Sequence, residues 1–360
     1  MTPPSLSIEV LPAMYGDCLW IECEFEGGRV WRLLIDGGPP DAWPKLKARI
    51  EALDRGKRTF DVVVVSHLDS DHIGGLLPLF EDVSLGVTIG DVWFNGSPQL
   101  PDFAGNLRSV DQAESLVALL GSPRGKRLPW NVAFGGLAAT TGEDGGIRNV
   151  EVPDGPQITL LSPTSKRLAA LRATWQTALT SVRQVESDDS QPLPPLLPLV
   201  DLVALAQERT PVDVSAPNGS SIAFLLEHAG RSCLLAADAV PSVLGGALTT
   251  IVNRRGVQSI ELDAFKLPHH CSNGNVTLKM LNLAPARHYL VSTDGTRFHH
   301  PHDIAMARAI TATGEPPTLW FNYSSTATRK WADPSLQARH RYRTRYPKQS
   351  GAGITVEFDS

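Results

Sequence analysis

The sequence is poor in the features that mark small secreted proteins and membrane proteins. Its 360 residues include four cysteines, none of them in a C-x-x-C pair, and a chain of this length needs no disulfides to hold a core together. We therefore expect reduced thiols in a cytoplasmic protein. No apolar run approaches the length of a membrane span, and no basic segment followed by an apolar one opens the chain. These absences argue against a transmembrane helix, a signal peptide and a membrane partner.

The chain has no excess of positive charge that would let its whole surface bind nucleic acid. Lysine and arginine total 33, aspartate and glutamate total 38, and the formal net charge at pH 7 is −5. Any phosphate site must therefore be local, or a metal ion must supply the positive charge. Because 42% of the residues are hydrophobic, the chain can bury a large core, and we predict a single domain over residues 1–360.

Alternating apolar residues dominate the first part of the chain and predict strands over 5–11, 19–25 and 30–35. Residues 43–53 have helical spacing. Residues 61–65, Asp-Val-Val-Val-Val, are apolar on both faces and predict a buried strand. Strands and helices are thus mixed from the start of the chain.

The middle of the chain has a different composition. Helical spacing over 106–120 and 166–182 alternates with a Gly-rich stretch and a Pro-rich one at 191–198. We predict that residues 97–217 form a mainly helical insertion, whose surface is available to a partner protein. Strand patterns resume after it, and helical spacing returns over 331–347. This order predicts a layered α/β (α+β) sandwich with two sheets inside and helices outside.

A dense set of metal-binding side chains follows the buried strand at 61–65. His67, Asp69, Asp71 and His72 fall within six residues. Imidazole nitrogens and carboxylate oxygens are the ligands that hold zinc, manganese or iron in hydrolytic sites. A polar turn with solvated charges is the alternative, but two neighbouring carboxylates repel each other unless a cation lies between them. The run therefore predicts a metal site.

Further candidate ligands occur where later strands are predicted to end. Asp238 follows an apolar run, and its carboxylate could bridge two metals or simply cap a turn. His269 and His270 follow another predicted strand, in the order that a metal site requires. A third histidine cluster contains His300 and His302, and it is either a surface loop or a substrate-binding loop.

These residues resemble the successive motifs of the metallo-β-lactamase superfamily. The variant is similar to the extracellular hydrolase domain of the ComEC-type competence DNA-uptake protein and its free-standing relatives, in which Asp replaces the second His of the usual H-x-H-x-D-H. The resemblance covers roughly residues 6–95 and 218–325 and is carried by these motifs: Tyr15-Gly16-Asp17-Cys18, Asp36-Gly37-Gly38, the run His67–His72, Asn218-Gly219-Ser220-Ser221, Leu267-Pro268-His269-His270-Cys271-Ser272 and Phe298-His299-His300-Pro301.

The resemblance implies a four-layer αββα sandwich with two divalent metals, Zn or Mn, in a cleft at one edge of the sheets. The ligands that it implies are His67, Asp69, Asp71, His72, Asp238 and His269. The first two would hold one metal, the next two together with His269 would hold the other, and Asp238 would bridge them. Sequence alone leaves His269 and His270 open as alternatives for the last ligand, with His269 preferred.

Three departures from the family pattern affect this expectation. No histidine occurs between His72 and His228, so the separate third-motif histidine is missing. One metal is therefore expected to be held weakly, or its position to be empty. Ala237 stands where the family usually has glycine before the bridging aspartate. Cys271 also replaces a glycine, and it is either a soft extra ligand or a small filler.

Two metals of this kind share a hydroxide and polarise a phosphoryl or carbonyl oxygen. Asp71 or Asp69 is expected to orient the water and take its proton. The predicted substrate contacts are His270, Ser272, His300, His302 and Lys266.

The segment from Arg339 to Lys348 carries four arginines, one lysine and two tyrosines. Such a segment suits a nucleic-acid backbone, but a solvated helix face whose buried edge carries Tyr342 and Tyr346 is the simpler alternative. We therefore predict a metal-dependent phosphodiesterase or nuclease acting on a phosphodiester or nucleic-acid substrate. A hydrolase of another ester, thioester or lactone is the second hypothesis. The third is a non-catalytic metal-binding component of a multi-protein system.

Overall fold

The computed structural model describes residues 3–101, 112–122, 128–141, 146–184, 200–312 and 315–359, with the backbone alone over 176–184 and at Asp359. Its strands are β1 (Ser5–Val10), β2 (Leu19–Glu24), β3 (Val30–Ile35), β4 (Thr59–Val64), β5 (Thr88–Trp93), β6 (Arg148–Val150), β7 (Gln157–Ser162), β8 (Ala223–His228), β9 (Arg231–Leu235), β10 (Leu262–Lys266), β11 (Ala286–Val291), β12 (Thr318–Phe321), β13 (Arg343–Arg345) and β14 (Ile354–Asp359).

The α-helices within these ranges are α1 (Trp43–Glu51), α2 (Ser70–Ile73), α3 (Leu76–Glu81), α4 (Gln112–Gly121), α5 (Ser165–Gln184), α6 (Leu202–Ala206), α7 (Ala216–Gly219), α8 (Pro241–Arg255), α9 (Leu278–Leu283), α10 (Asp303–Thr311), α11 (Thr326–Arg329) and α12 (Pro334–His340). None of the described helices is long and apolar enough to cross a membrane.

The strands form two mixed sheets. The first has six strands in the order β14-β1-β2-β3-β4-β5, and the second has eight in the order β13-β12-β11-β10-β9-β8-β7-β6. The neighbours β3, β4 and β5 are parallel, and so are β9 to β13. Each sheet therefore has a group of strands whose carboxyl ends lie at one edge, where the following loops meet.

Three apolar clusters separate four layers. One lies between the two sheets, where Leu33 of β3 and Leu235 of β9 are buried. A second packs the outer face of the first sheet against helices such as α1, through Leu46 and Ile50. A third packs helices such as α8 and α10 against the second sheet. The structure is thus an αββα sandwich, and the predicted fold class is confirmed.

β4 shows why the fold delivers the first histidine cluster to one edge. Its sequence Thr-Phe-Asp-Val-Val-Val is rich in β-branched residues, and its last three residues are buried because sheet and helices cover both faces. The strand ends at Val64, and the chain turns into the short helix α2, which begins at Ser70. His67 and Asp69 therefore lie in the loop between them, and Asp71 and His72 in the first turn of α2.

Two predicted segments differ from the structure. The segment 97–217 is not only helical, because β7 pairs antiparallel with β8 and β6 pairs antiparallel with β7, which extends the second sheet by two strands. The helix predicted over 106–120 corresponds to α4. Residues 106–111 lie outside the described residues, and so does the Pro-rich stretch 191–198. The helix predicted over 331–347 is found as α12, after which β13 joins the sheet edge beside β12. That the whole chain is one domain with an insertion remains a prediction.

Candidate metal centre

Asp238 is the point at which the candidate ligands of the two sheets meet. Its Oδ2 lies 3.3 Å from Nε2 of His72 and 4.0 Å from Nε2 of His67. The same oxygen is 3.7 Å from the Nε2 atoms of both His269 and His270. Asp238 follows β9 of the second sheet, whereas His67 and His72 follow β4 of the first. The centre therefore spans the edges of both sheets.

The two histidines of the first cluster are oriented by contacts to their Nδ1 atoms. Nδ1 of His67 lies 3.0 Å from the hydroxyl of Ser66. Nδ1 of His72 lies 2.8 Å from Oδ2 of Asp36, which also accepts a hydrogen bond from the Ser66 hydroxyl. Partners of this kind fix the ring and its tautomer, so that the other nitrogen presents a lone pair.

His270 and His269 occupy different places although they are adjacent in sequence. His270 is completely buried, its Nδ1 is 3.0 Å from the backbone carbonyl of Ser292, and its Nε2 is 3.3 Å from Oδ2 of Asp71. The side chain of His269 is 28% exposed and lies on the cleft side of Asp238. The ligand atoms of Asp71, His72 and His270 lie within 4.8 Å of one another. The sequence favours His269 as the last ligand, whereas this group contains His270.

A network of amides holds His269 in its place. Nδ1 of His269 is 2.9 Å from Oδ1 of Asn275 and 3.3 Å from Nδ2 of Asn218. Both amide groups donate to Oδ2 of Asp213, and Asn275 also donates to the backbone carbonyl of Asp238. Nε2 of His269 is thereby directed toward the centre.

The buried polar atoms at the centre match the donors that divalent metals require. The following ones have no hydrogen-bond partner among the described residues: His67 Nε2, Asp69 Oδ1, His72 Nε2, Asp238 Oδ1 and His270 Nε2. Burying such atoms without partners destabilises a fold, whereas unprotonated imidazole and carboxylate are metal ligands. The ligand atoms of His67, His72 and Asp238 all lie within 4.8 Å of one another, as do those of Asp71, His72 and His270. These residues fit divalent metal ions.

The electrostatics of the centre are those of closely packed carboxylates and imidazoles. Burial by itself would raise the pKa of Asp238, but the imidazoles around it, His72 foremost, hold that pKa well below its ordinary value. Burial would likewise lower the pKa of His72, and the carboxylates of Asp238, Asp71 and Asp36 raise it instead. Each group thus stabilises the charge of the other, and divalent cations can take the place of the protons.

Lys266 does not reach the cleft. It is completely buried at the end of β10, where its ammonium group forms an ion pair with Asp17. Asp17 in turn contacts Nδ1 of His270 at 3.2 Å. The prediction that Lys266 contacts substrate does not agree with this placement, because its charge is neutralised inside the core. Ser272 is also buried behind the cleft, with its hydroxyl accepting from the backbone N–H of Gly274.

The centre opens into a cleft of about 510 Å³. Its described lining is made of Tyr15, Asp69, Ser70, Asp71, Ser215, Pro217, Asn218, Asp238, His269, Arg297, Phe298, His299, His300 and His302. Both predicted substrate contacts of the third histidine cluster, His300 and His302, are thus at the cleft. Burial lowers the pKa of His302 to about 4, and that of His300 well below its ordinary value, so that both rings are neutral.

The two glycine replacements lie in backbone that favours glycine. Ala237 has φ 46° and Cys271 has φ 68°, and both values fall in the left-handed region. The thiol of Cys271 is buried and points at the sulfur of Met306, 3.4 Å away. This placement is that of a small filler. His269 and His270 also have φ 50°, so the backbone is strained at each residue from His269 to Cys271.

Sequence reasoning assigned no role to several residues that orient the ligands. Asp17 and Asp36 stand in the family motifs Tyr15–Cys18 and Asp36–Gly38, and an acidic residue beside a glycine near a predicted metal site is a signal for such a role. Gly16 permits the approach of this loop, since a Cβ there would lie 1.9 Å from the backbone oxygen of Asp71. Nothing local distinguishes Asn275 or Asp213 from ordinary loop residues.

No curated protein sequence matches this chain. Among solved structures, the chain is similar to a metallo-β-lactamase with a HARLDQ motif from Cronobacter sakazakii, at 13% identity over 72% of this chain and 76% of that one, with a TM-score of 0.29. MIM-1 from Novosphingobium pentaromativorans shows 13% identity over 85% and 86%, with a TM-score of 0.30. These scores are too low to support an argument. The family model of the metallo-β-lactamase superfamily, however, matches residues 15–295, and with them every ligand described above. The chain belongs to the metallo-β-lactamase superfamily.

Proposed function

We propose that the protein is a metal-dependent phosphodiesterase, with nucleic acid as its substrate class. The observation that carries the proposal is the convergence of unpartnered imidazole and carboxylate atoms on Asp238, at the floor of an open cleft. Asp69 gives the centre a carboxylate where many relatives place a histidine, and oxygen-rich sites suit hard ions such as Mn²⁺, which serve phosphoryl transfer. The motif-level likeness to ComEC-type hydrolase domains is part of this proposal.

In this proposal Asp71, His72 and His270 would hold one metal, and His67 with Asp69 would hold the other. Asp238 would be shared by both. When bound, two divalent ions would lower the pKa of a water molecule and polarise the phosphoryl oxygen. The protein residues orient the water and remove its proton.

Asp69 is suited to accept that proton. Its side chain is 26% exposed at the cleft, and Oδ2 lies 3.4 Å from Nε2 of His67. Oδ1 has no hydrogen-bond partner among the described residues. A partly exposed carboxylate with one oxygen that accepts no other hydrogen bond can take the proton of the attacking water.

His302 and His300 supply neutral donors for the oxygens of the substrate. The backbone N–H of Asn273 donates to Nδ1 of His302 at 3.0 Å, so the ring proton of His302 is carried by Nε2. The ring centroid of His300 lies 4.6 Å from that of His302 and 5.3 Å from that of His269. Donors placed beside a developing negative charge stabilise it without having to reorganise.

The basic segment near the C-terminus bears on the nucleic-acid part of the proposal. The hydroxyl of Tyr342 donates to the carbonyl of Trp331, and the ring of Tyr346 stacks on Phe321 with centroids 5.2 Å apart. The tyrosines therefore face the core and cannot stack on bases. The arginines of this segment, including Arg343 and Arg345 on the edge strand β13, are exposed and are available for phosphates only as charges.

A substrate panel tests the proposal. Bis-p-nitrophenyl phosphate, single-stranded DNA, RNA and a p-nitrophenyl ester would be incubated with the protein loaded with Zn²⁺ or Mn²⁺. We expect turnover of the diester and of at least one nucleic acid. Turnover of the ester alone would reject the phosphodiesterase and favour the second hypothesis. Turnover of none, with metal still bound, would favour a non-catalytic metal-binding role.

Asp71→Asn is the variant that ties the activity to this centre. Loss of one metal ligand in the cleft should reduce turnover by at least about 100-fold while the fold remains intact by circular dichroism. Asp54→Asn is the matched control, because Asp54 is exposed and pairs with Lys57 on the surface, away from the cleft. Wild-type rates in Asp71→Asn would show that the reaction occurs elsewhere.

A further inference from the structure

Arg297 is the non-histidine cation in the described lining of the cleft. It shares the cleft with three carboxylates, those of Asp69, Asp71 and Asp238. Those carboxylates are directed to the metal centre, so they do not need a lysine or arginine for compensation once metals are bound. The positive charge of the guanidinium at this wall can therefore attract an anionic substrate.

Two aromatic rings fix the position of Arg297. Its guanidinium carbon lies 4.9 Å from the ring centroid of Tyr15 and 5.2 Å from that of Phe298. The two rings meet edge to face, with centroids 6.3 Å apart and an interplanar angle of 80°. Contacts of a guanidinium with ring faces restrict the rotation of a long side chain, and its N–H groups keep their donor directions in the guanidinium plane.

The backbone beneath this group is also held firmly. Tyr15 lies between Met14, whose N–H donates to the hydroxyl of Tyr323 at 2.8 Å, and Gly16. The carbonyl of Met14 accepts from the N–H of Asp294, which joins this loop to the loop of Arg297. Phe298 has φ 59°, an unusual value for an aromatic residue. Strained backbone persists where the surrounding contacts fix the geometry, and such places cluster at binding sites.

We propose that Arg297, held by Tyr15 and Phe298, is an anion subsite that binds phosphate oxygens of the substrate beside the metal centre. The inference rests on the proposed phosphodiesterase function and narrows its substrates to those that present an anionic phosphate at this wall. Guanidinium groups match phosphate geometry with two parallel N–H donors, and a pre-positioned one binds with less loss of side-chain entropy.

The first test measures binding and does not depend on turnover. The affinity of the metal-loaded protein for inorganic phosphate would be measured by calorimetry in the wild type, Arg297→Gln and Arg297→Lys. We expect Arg297→Gln to weaken phosphate binding by about 10-fold or more, and Arg297→Lys to recover part of that loss. Arg29→Gln is the matched control, because Arg29 lies over the ring of Phe25 at 4.5 Å, outside the cleft. Equal affinity in the wild type and Arg297→Gln, or no phosphate binding by the wild type, would overturn the subsite.

The second test compares substrates. If the diester is turned over, Arg297→Gln should raise KM for bis-p-nitrophenyl phosphate by about 10-fold and leave turnover of a neutral p-nitrophenyl ester nearly unchanged. An equal loss on both substrates would mean that Arg297 only supports the fold of the loop, and the proposal would fail. If the wild type turns over no diester but Arg297 still governs phosphate affinity, the proposed reaction fails while the subsite stands.

Discussion

The ammonium group of Lys266 and the carboxylate of Asp17 form an ion pair that is withdrawn from solvent, directly behind His270. Burial alone would raise the pKa of Asp17, but the charges of Lys266 and His270 hold it far below its ordinary value. The carboxylate is therefore kept ionised at the back of the imidazole, and it supports the contact to Nδ1. One buried pair thus links the core of the second sheet to the orientation of a candidate metal ligand.

Removing one member of this pair should be far more harmful than removing both. Lys266→Met leaves a buried carboxylate and Asp17→Asn a buried ammonium, and each should lower the free energy of unfolding by about 3–5 kcal/mol. The free energy of unfolding of the double variant should fall by clearly less than the sum of the two single losses. Urea denaturation of the four proteins, all in chelator, gives the coupling between the residues. Additive losses would show that the ion pair is not formed.

Asp36→Asn tests the orientation of His72. The carboxylate of Asp36 accepts from the N–H and hydroxyl of Ser66, both at 2.7 Å, and contacts Nδ1 of His72. Loss of this partner should weaken metal binding by about 10–100-fold, as measured by competition with a chromophoric chelator.

The control for this variant is Asp91→Asn. Asp91 is also buried and accepts hydrogen bonds from the backbone of Val132 and Ala133 and from Trp93, but it lies outside the cleft. Asp91→Asn is expected to cost stability and leave metal affinity unchanged. If both variants bound metal equally well, Asp36 would have no orienting role.

Ala237→Gly should stabilise the metal-free protein. A left-handed conformation costs a non-glycine residue about 1–2 kcal/mol. Glycine avoids this cost, but its larger unfolded-state entropy offsets part of the gain. We expect the free energy of unfolding in chelator to rise by as much as about 1 kcal/mol. The neighbouring Ala236 is completely buried and is absent from the residues with positive φ, so Ala236→Gly should be destabilising. Equal losses in the two variants would contradict the strain at Ala237.

His288 gives the stability of the protein a dependence on pH below neutrality. Burial keeps its pKa below the ordinary 6.5, in part opposed by Asp263, and its Nδ1 accepts a hydrogen bond from Trp320 at 3.0 Å. Below pH 6.5 the unfolded chain therefore takes up a proton that the folded one still excludes, and stability falls as the pH falls. In His288→Gln this contribution is absent. The stability difference between wild type and His288→Gln should shrink from pH 7.5 to pH 5.5, and a constant difference would refute the assignment.

Much of the fold and of the ligand set could be predicted from sequence because the relevant signals are local. The valines of β4 and the histidines and aspartates that follow lie within a few residues of one another, and parallel strands bring their carboxyl ends to one edge. Asp238 could be found because it follows a later strand in the same order. The fold class needs only this order of elements.

Contacts that depend on side-chain direction could not be predicted. His269 and His270 are adjacent, and a left-handed turn that contains no glycine brings the Nε2 atoms of both to 3.7 Å from Oδ2 of Asp238. Lys266 resembles a substrate contact in sequence because it precedes the histidine pair. Its burial is set by Asp17 in a distant loop, which only the packing of the two sheets brings near.

Metal content measures the central claim most directly. After incubation with excess Mn²⁺ or Zn²⁺ and removal of unbound ions, elemental analysis should find at least one divalent ion per wild-type chain. Asp238→Asn, which alters the carboxylate that the proposal places between the two metals, should retain much less, while Asp91→Asn should match the wild type. A wild type without metal, or an Asp238→Asn variant that retains as much as the wild type, would contradict the assignment of this centre.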